Sequence, residues 1–230
     1  MTPGPIIAID GPAGSGKSSV SRAVAESLAS KYLDTGAMYR ALTWAVVDAG
    51  IDPEDAAAVT AFVQVPPIVD SGTDPSNPTI TVNGVDVAAA IRESEVTNAV
   101  SAVSAVPAVR SYLVAQQRRY VSDSSQGIVV EGRDIGSVVL PNADVKIFLT
   151  ADPSVRALRR SAERSDPSSQ VASDVSATEA ALRTRDAKDS TRAVSPLTRA
   201  DDAIEIDTTD MSFDEVVSAV IDLVQQTVQS

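Results

Sequence analysis

A glycine-rich octapeptide near the start of the chain limits the fold more than any other feature. Its sequence is Gly11-Pro12-Ala13-Gly14-Ser15-Gly16-Lys17-Ser18, which fits the pattern of two glycines that flank four residues and are followed by Lys-Ser. An apolar run, residues 6–10, precedes it, and residues 17–29 carry apolar side chains at helical spacing. The order strand, loop, helix is the setting that this pattern requires in a phosphate-binding loop.

Each residue type in this loop suits the binding of phosphate groups. Glycines let backbone N–H groups wrap a β-phosphate, and the following helix adds the positive end of its dipole. Lys17 is placed to reach the β- and γ-phosphates, and the Ser18 hydroxyl to ligate Mg²⁺. A glycine-rich turn that binds nothing is the alternative, which the full motif in its setting disfavours. The guanine-reading motifs Asn-Lys-x-Asp and Thr-Lys-x-Asp are absent, which weakens a GTPase interpretation.

Short β-branched runs alternate with helical patterns along the rest of the chain. Strands are predicted at 32–34, 128–130, 145–149 and 203–206, and helices at 37–49, 93–106 and 109–122, from 153 and at the C-terminus. Such alternation predicts an α/β fold of the P-loop NTPase type, with a parallel sheet of about five strands flanked by helices. Within residues 62–92, Asn83-Gly84 predicts a small antiparallel insertion, because Asn-Gly supplies both positive-φ positions of a type I′ turn.

Composition excludes several classes of function. The 230 residues contain no cysteine and no histidine, which removes disulfides, Cys-based zinc sites and the commonest general base. A net charge of −12 argues against a nucleic-acid-binding surface. No apolar run approaches the roughly 20 residues that span a bilayer, and residues 1–5 lack the pattern of a signal peptide. We therefore expect a soluble cytoplasmic protein with neither a membrane nor a nucleic-acid partner and, without a periodic interface stripe, a monomer.

Arginines in the second half of the chain are grouped. One group shares a helix face at i, i+3, i+4 and i+8: Arg156, Arg159, Arg160 and Arg164. A second follows at i, i+4 and i+7: Arg185, Asp189 and Arg192. A Ser-rich stretch between them, 165–176, is expected to be mobile, and two guanidinium faces around such a segment favour a helical lid that closes over polyphosphate. Two solvated surface helices with ordinary ion pairs are the alternative.

Two four-residue patterns predict where the last helices begin. Ser176 and Glu179, and likewise Ser212 and Glu215, have the spacing of a capping box, in which a hydroxyl and a carboxylate satisfy each other's backbone N–H groups.

The absence of histidine bears on the phosphate acceptor. A nucleoside monophosphate has a second pKa of about 6, is largely a dianion at neutral pH and needs no general base. Sugar or protein hydroxyls are usually assisted by a carboxylate, which Asp10, Asp34, Glu131 or Asp134 could supply. The residues therefore favour a monophosphate acceptor and leave the other acceptors open.

Four segments together resemble the bacterial cytidylate kinases in order and spacing. They are IDGPAGSGKS at 9–18, LDTGAMYR at 33–40, EGRDIG at 131–136 and RAVSPL at 192–197. The resemblance covers essentially the whole chain, and the Gly-Arg-Asp-Ile-Gly segment with the small β insertion distinguishes this family from adenylate kinases. It implies a nucleoside monophosphate kinase that transfers the γ-phosphate of ATP, accompanied by Mg²⁺, to CMP or dCMP.

The resemblance also implies residue roles. Catalytic residues would be Lys17, Arg133, Arg185 and Arg192. ATP would be bound by Gly11, Pro12, Ala13, Gly14, Ser15, Gly16, Lys17, Ser18, Ser19, Arg156, Arg159 and Arg160, with Ser18 on the Mg²⁺. CMP would be bound by Thr35, Tyr39, Arg40, Ser101, Arg110, Arg133, Asp134, Arg185, Asp189 and Arg192. Of these, Ser101, Arg110 and Asp134 would contact the cytosine edge.

One kinase domain, 1–230, is implied, with a core of 1–61, 93–152 and 193–230. The insertion 62–92 would bind the monophosphate, and the segment 153–192 would form the lid. Two rival functions stay open. One is a P-loop kinase for UMP, AMP or a non-nucleotide acceptor such as shikimate, and the other is a nucleotide-dependent switch or binding protein with slow hydrolysis.

Overall fold

A parallel sheet forms the centre of the molecule. The computed structural model describes residues 4–164, 175–190 and 197–228. The strands are β1 Ile6–Asp10, β2 Lys31–Asp34, β3 Val69–Ser71, β4 Ile80–Val82, β5 Val85–Asp86, β6 Ile128–Gly132, β7 Val145–Thr150 and β8 Ile204–Asp207. Five of them form the central sheet in the order β2-β6-β1-β7-β8, and every neighbouring pair is parallel. The predicted α/β fold is thereby confirmed.

Helices cover both faces of this sheet. They are α1 Lys17–Ser27, α2 Thr35–Asp48, α3 Ala56–Phe62, α4 Ser94–Ala105, α5 Pro107–Ser122, α6 Pro153–Arg164, α7 Val175–Ser190 and α8 Phe213–Val228. On one face, Leu33 packs with Leu42 of α2 and Leu113 of α5. On the other, Ile9 packs with Val220 of α8. Within the described ranges, no helix is both long and apolar enough to cross a membrane.

The small second sheet contains the predicted hairpin. Strands β4 and β5 are antiparallel and are joined by Asn83 and Gly84, whose φ angles of 49° and 80° are both positive. The prediction from Asn-Gly is confirmed. Strand β3 adds a third strand beside β4, which sequence patterns missed because only three residues pair. The short helix α3 was also missed, although Asp55 caps it by accepting from the N–H groups of Ala57 and Ala58.

Three predicted helix starts need correction. Helix α5 begins at Pro107 rather than at residue 109, because proline is tolerated at the first helical position, where its missing N–H is not needed. Helix α2 begins at Thr35 rather than at residue 37, because the Asp34 carboxylate caps it and accepts from the N–H of Ala37 at 2.8 Å. Helix α7 begins at Val175, so Ser176 lies inside it and the capping box predicted there is wrong. Of the Ser-rich stretch 165–176, which was predicted to be mobile, residues 165–174 lie outside the described residues, and the last two residues belong to α7.

The starts of α6 and α8 agree with the sequence. The Ser212 N–H donates to the Glu215 carboxylate at 2.8 Å, and the Glu215 N–H donates to the Ser212 hydroxyl at 3.3 Å. This reciprocal pair is the predicted capping box of α8. Asp152 precedes Pro153 at the start of α6, and its carboxylate accepts from the N–H of Ser154 at 2.8 Å.

Candidate active site

The glycine-rich loop joins the carboxyl end of β1 to the start of α1, at the edge of the sheet where parallel α/β proteins bind ligands. Two of its glycines are required by close approach of the backbone. A methyl group at Gly11 would lie 2.0 Å from the carbonyl oxygen of Leu149, and one at Gly14 would lie 2.8 Å from that of Arg156. The backbone of the loop is therefore packed tightly against β7 at Gly11 and against α6 at Gly14.

Side chains of the loop fold back onto it. Lys17 Nζ donates to the carbonyl oxygen of Pro12 at 2.8 Å, and Ser15 Oγ donates to the same oxygen at 3.1 Å. The ammonium group is therefore held against the loop by one of the loop's own carbonyl oxygens. Ser18 and Ser19 are exposed at the start of α1.

Arg133 connects this loop to the segment that follows β6. Its Nη1 donates to the carbonyl oxygen of Gly11 at 2.7 Å. Gly132, just before it, allows close packing, since a methyl group there would lie 2.7 Å from Thr35 Oγ1 and from Ile135 Cδ1. The structure thus brings the Gly-Arg-Asp segment next to the phosphate loop, 122 residues away in sequence.

A buried charge pair lies beyond Arg133. Arg110 of α5 and Asp134 are in direct contact, with side chains only 5% and 7% exposed. The ring of Tyr39 completes the group, with its centroid 5.6 Å from the guanidinium carbon of Arg110. These three residues, separated in sequence, were all predicted to bind CMP, and the structure brings them together.

The remaining residues predicted to bind CMP are more dispersed. Thr35 Oγ1 is buried and donates its proton to the carbonyl oxygen of Glu131 at 2.7 Å, so contact with a phosphate requires that hydroxyl to exchange partners. Arg40 Nη1 donates to the carbonyl oxygen of Ile91 and to Thr97 Oγ1, which links α2 to α4. Ser101 is half-buried on α4.

Predicted lid residues divide into two groups. Arg156 of α6 reaches the phosphate loop, where its Nη1 donates to the carbonyl oxygen of Ala13 at 3.0 Å. Arg159 turns to the loop after β8 instead, donating to the hydroxyl and carbonyl oxygens of Thr208 at 2.8 and 2.7 Å. Arg160 is half-buried on the same helix. Arg192 and the side chains of Arg185 and Asp189 lie outside the described residues, so their roles stay predictions.

Asp10, at the carboxyl end of β1, organises the segment after β6. Its two carboxylate oxygens accept the N–H groups of Ile135 and Gly136, each at 2.8 Å. Burial, opposed by these hydrogen bonds, raises the pKa of Asp10 to about 6, with Asp134 adding to the rise. The sequence offered Asp10 as a candidate base, but its contacts assign it to holding a backbone turn.

Glu131, at the end of β6, is the second buried carboxyl of the site. The Tyr32 hydroxyl donates to it at 2.5 Å. Burial and, after it, the charge of Asp34 raise its pKa to about 7, while the Lys17 charge and hydrogen bonds from Tyr32 and Ser18 act in the opposite direction. Glu131 therefore lies beside both the lysine and the serine of the phosphate loop.

The donor atoms around Ser18 suit a hard divalent cation. An exposed hydroxyl beside a buried carboxyl provides oxygen donors, which Mg²⁺ prefers, and Mg²⁺ usually completes its shell with waters and substrate phosphates. Within the described part of the chain, no cluster of three or more His, Cys, Asp or Glu side chains is arranged to hold a metal ion. The arrangement thus fits Mg²⁺ that arrives with nucleotide phosphates.

Comparisons of the sequence with known proteins agree on one family. The family model described as cytidylate kinase matches residues 7–226. A cytidylate kinase of Streptomyces avermitilis is 55% identical over 97% of this chain and 94% of its own length, and one of Streptomyces coelicolor is 56% identical over 97% and 94%. Among solved structures, a gluconokinase from Sinorhizobium meliloti matches with a TM-score of 0.50 at 16% identity, covering 100% of this chain and 96% of its own. At that identity the likeness concerns the fold alone.

Proposed function

This chain belongs to the cytidylate kinase family, and from that membership we propose that it transfers the γ-phosphate of ATP to CMP or dCMP, giving ADP and CDP or dCDP. The function serves pyrimidine nucleotide metabolism in the cytoplasm. The observation that carries the proposal is the hydrogen bond from Arg133 to Gly11 at 2.7 Å. It places the segment proposed to bind CMP next to the loop proposed to bind ATP.

On the donor side, the loop N–H groups and Lys17 bind the ATP phosphates. Ser18 would hold the Mg²⁺ that accompanies ATP, and the cation would neutralise part of the phosphate charge. Lys17, positioned above Pro12, spreads the negative charge that develops as the phosphoryl group moves. Arg156, at the carbonyl of Ala13, adds a second cation on the lid side.

On the acceptor side, the buried pair Arg110 and Asp134 is proposed to recognise cytosine. A carboxylate accepts from the exocyclic amino group of cytosine, and a guanidinium donates to ring acceptors. Arg133, between this pair and the phosphate loop, is placed to contact the CMP phosphate. Its planar guanidinium suits bidentate binding of phosphate oxygens.

Proton transfer does not limit this reaction. The acceptor phosphate is a dianion at neutral pH, so it attacks without a general base. The buried carboxyls agree with this, because Asp10 is occupied by two backbone N–H groups and Glu131 by the Tyr32 hydroxyl. Catalysis is then positioning and charge neutralisation for an in-line transfer.

The remaining assignments complete the proposal. Arg185, Asp189 and Arg192 are proposed to close on the ribose and phosphate of CMP, Ser101 to border the base, and Thr35 and Arg40 to contact the CMP phosphate. We propose one kinase domain with the insertion 62–92 on the monophosphate side and the lid 153–192 on the ATP side. The protein is proposed to act as a monomer.

A substrate panel tests the function. ADP release is measured at saturating ATP and Mg²⁺ with CMP, dCMP, UMP, AMP and GMP, with the Lys17→Ala variant as the background. We expect kcat/KM for CMP or dCMP to exceed that for either purine by at least about a hundredfold. Preference for a purine monophosphate would overturn the assignment, and ATP turnover that no monophosphate accelerates would support a switch protein instead.

A further inference from the structure

A carboxylate of the lid helix α7 lies at the phosphate loop. Asp186 Oδ2 is 2.5 Å from Arg156 Nη1, and the N–H of Ala13 donates to Asp186 Oδ1 at 3.4 Å. The contact joins three segments: α7, α6 and the loop between β1 and α1. The arginines of this region were identified by their helical spacing, whereas no local pattern in the sequence marks Asp186.

Arg156 is the cation that this carboxylate holds. Its Nε donates to the carbonyl oxygen of Ala151 at 3.1 Å, and its Nη1 is shared between Ala13 and Asp186. The arginine side chain is 8% exposed and that of Asp186 is 18% exposed. Among the described residues, the second terminal nitrogen of Arg156, Nη2, has no hydrogen-bond partner.

By its charge alone, the Asp186 carboxylate should weaken the binding of ATP. A carboxylate next to the phosphate loop repels the triphosphate that the loop binds. The same carboxylate also orients Arg156, which can offset this repulsion. A guanidinium held through Nε and Nη1 presents its remaining N–H groups in one direction. Preorganised cations of this kind are what phosphoryl transfer requires.

We propose that Asp186 is a positioning residue, which fixes Arg156 through Nη1 so that Nη2 is available to the phosphates of ATP. The expected effect on kcat rests on the proposed function, because it requires CMP as the acceptor. The expected effect on ATP binding does not depend on the acceptor. It also gives α7 a second role, because the helix anchors the ATP side of the site in addition to carrying Arg185 and Asp189.

Asp186→Asn tests the proposal with little change in shape. The amide oxygen can still accept a hydrogen bond, but the charge that holds Arg156 is lost. We expect kcat to fall about tenfold and KM for ATP to rise, while KM for CMP changes less than about twofold, since misplacement of a positioning group affects the transition state most. Asp186→Glu, which retains the charge, should recover part of kcat.

Two comparisons separate positioning from other effects. In an Arg156→Met background, Asp186→Asn should cause no further loss, because residues that act as a unit are not additive. Glu179→Gln removes the same charge from the same helix at the pair with Arg183 and should leave kcat and both KM values unchanged. Losses that add fully in the double variant would overturn the proposal.

The direction of the ATP effect decides between two roles. If Asp186 were only a competitor of the phosphates, Asp186→Asn would lower KM for ATP, and this result would overturn positioning. A lower melting temperature with unchanged kinetic constants would show a structural ion pair only, and would overturn it too. Direct titration of ATP and Mg²⁺ onto the wild-type and Asp186→Asn proteins measures the Kd for ATP without any acceptor. If CMP were not a substrate, this titration would still test the role of Asp186, so the two proposals can fail separately.

Discussion

Arg110 and Asp134 form an ion pair that solvent scarcely reaches, with side chains 5% and 7% exposed. The pair joins α5 to the segment after β6, and the ring of Tyr39 lies beside the guanidinium. Both charges have lost most of their hydration, so they are stabilised by one another and by the polar groups that contact them. Such a pair can discriminate between bases, because a ligand that does not match leaves a buried polar group unsatisfied.

Arg110→Ala should therefore separate the two substrates. We expect KM for CMP to rise by about a hundredfold or more, whereas KM for ATP changes less than about threefold. Steady-state kinetics with each substrate varied in turn give both values. An equal effect on both substrates would show that Arg110 does not belong to the base pocket.

Stability must be measured in parallel for this variant. Removing one partner of a buried ion pair costs about 3–5 kcal/mol, so the assays should run well below the melting temperature of Arg110→Ala. Arg119→Ala, an exposed arginine on the same helix, is the matched control and should change neither KM nor stability.

Local patterns predicted most of the fold. Each strand of the central sheet has an apolar or β-branched run, so that β8, predicted at 203–206, forms at Ile204–Asp207. The hairpin at Asn83 and Gly84 was predictable because its signal lies in two adjacent residues with positive φ. Elements with short signals, α3 and β3, were missed because their formation depends on neighbours rather than on their own pattern.

Contacts between distant segments were not predictable. Arg133 and Gly11 were each singled out from sequence, but their hydrogen bond depends on β6 and β1 being neighbours in register. The burial that shifts the pKa of Asp10 depends on packing of the whole chain. Asp186 was missed entirely, because its importance lies in one contact with Arg156 across the packed helices α6 and α7.

Lys17→Ala should abolish turnover and leave the fold intact. The lysine makes a hydrogen bond to Pro12, which contributes only about 1 kcal/mol to stability, whereas loss of a preorganised donor to the transferred group lowers kcat by about a hundredfold to a thousandfold. The ADP-release assay and a thermal melt measure the two effects. Lys31→Ala, on β2, is the control and should keep its activity; comparable losses in the two variants would contradict the role given to Lys17.

Two glycines of the phosphate loop should respond differently to the same substitution. Gly16 has a φ of +86° and open space where a methyl group would lie, so Gly16→Ala should cost only the strain of a left-handed conformation, about 1–2 kcal/mol. Gly11 has a φ of +148° and would place its methyl group 2.0 Å from the Leu149 carbonyl oxygen. Gly11→Ala must therefore displace β7 or the loop.

Urea denaturation of both variants checks this ranking. Gly11→Ala should lose at least about 3 kcal/mol in the free energy of unfolding, as expected when backbone must shift in addition to adopting a strained φ. Equal losses for Gly11→Ala and Gly16→Ala would mean that the approach of the loop to β7 does not constrain it.

Glu131 should make the protein less stable as the pH rises from about 4.5 to 7. Its pKa is raised from the ordinary value of 4.5 to about 7 by burial and by Asp34, so the folded protein binds more protons than the unfolded chain in this window. Stability therefore falls with increasing pH, on the order of 3 kcal/mol across the window. Asp10, with a pKa of about 6, contributes a smaller effect of the same sign.

Glu131→Gln removes this titration while keeping an oxygen that accepts from Tyr32. The free energy of unfolding, measured by urea denaturation between pH 5 and 8, should fall less steeply with pH in the variant than in the wild type, with the remaining slope due to Asp10. Carboxyls whose pKa is lowered, such as Asp202, titrate below this range and do not mask the difference. Glu54→Gln, on the exposed surface, is the control and should reproduce the wild-type slope. An unchanged slope in Glu131→Gln would mean that Glu131 is already ionised in the folded protein at pH 5, and the Lys17 and Ser18 contacts would then outweigh its burial.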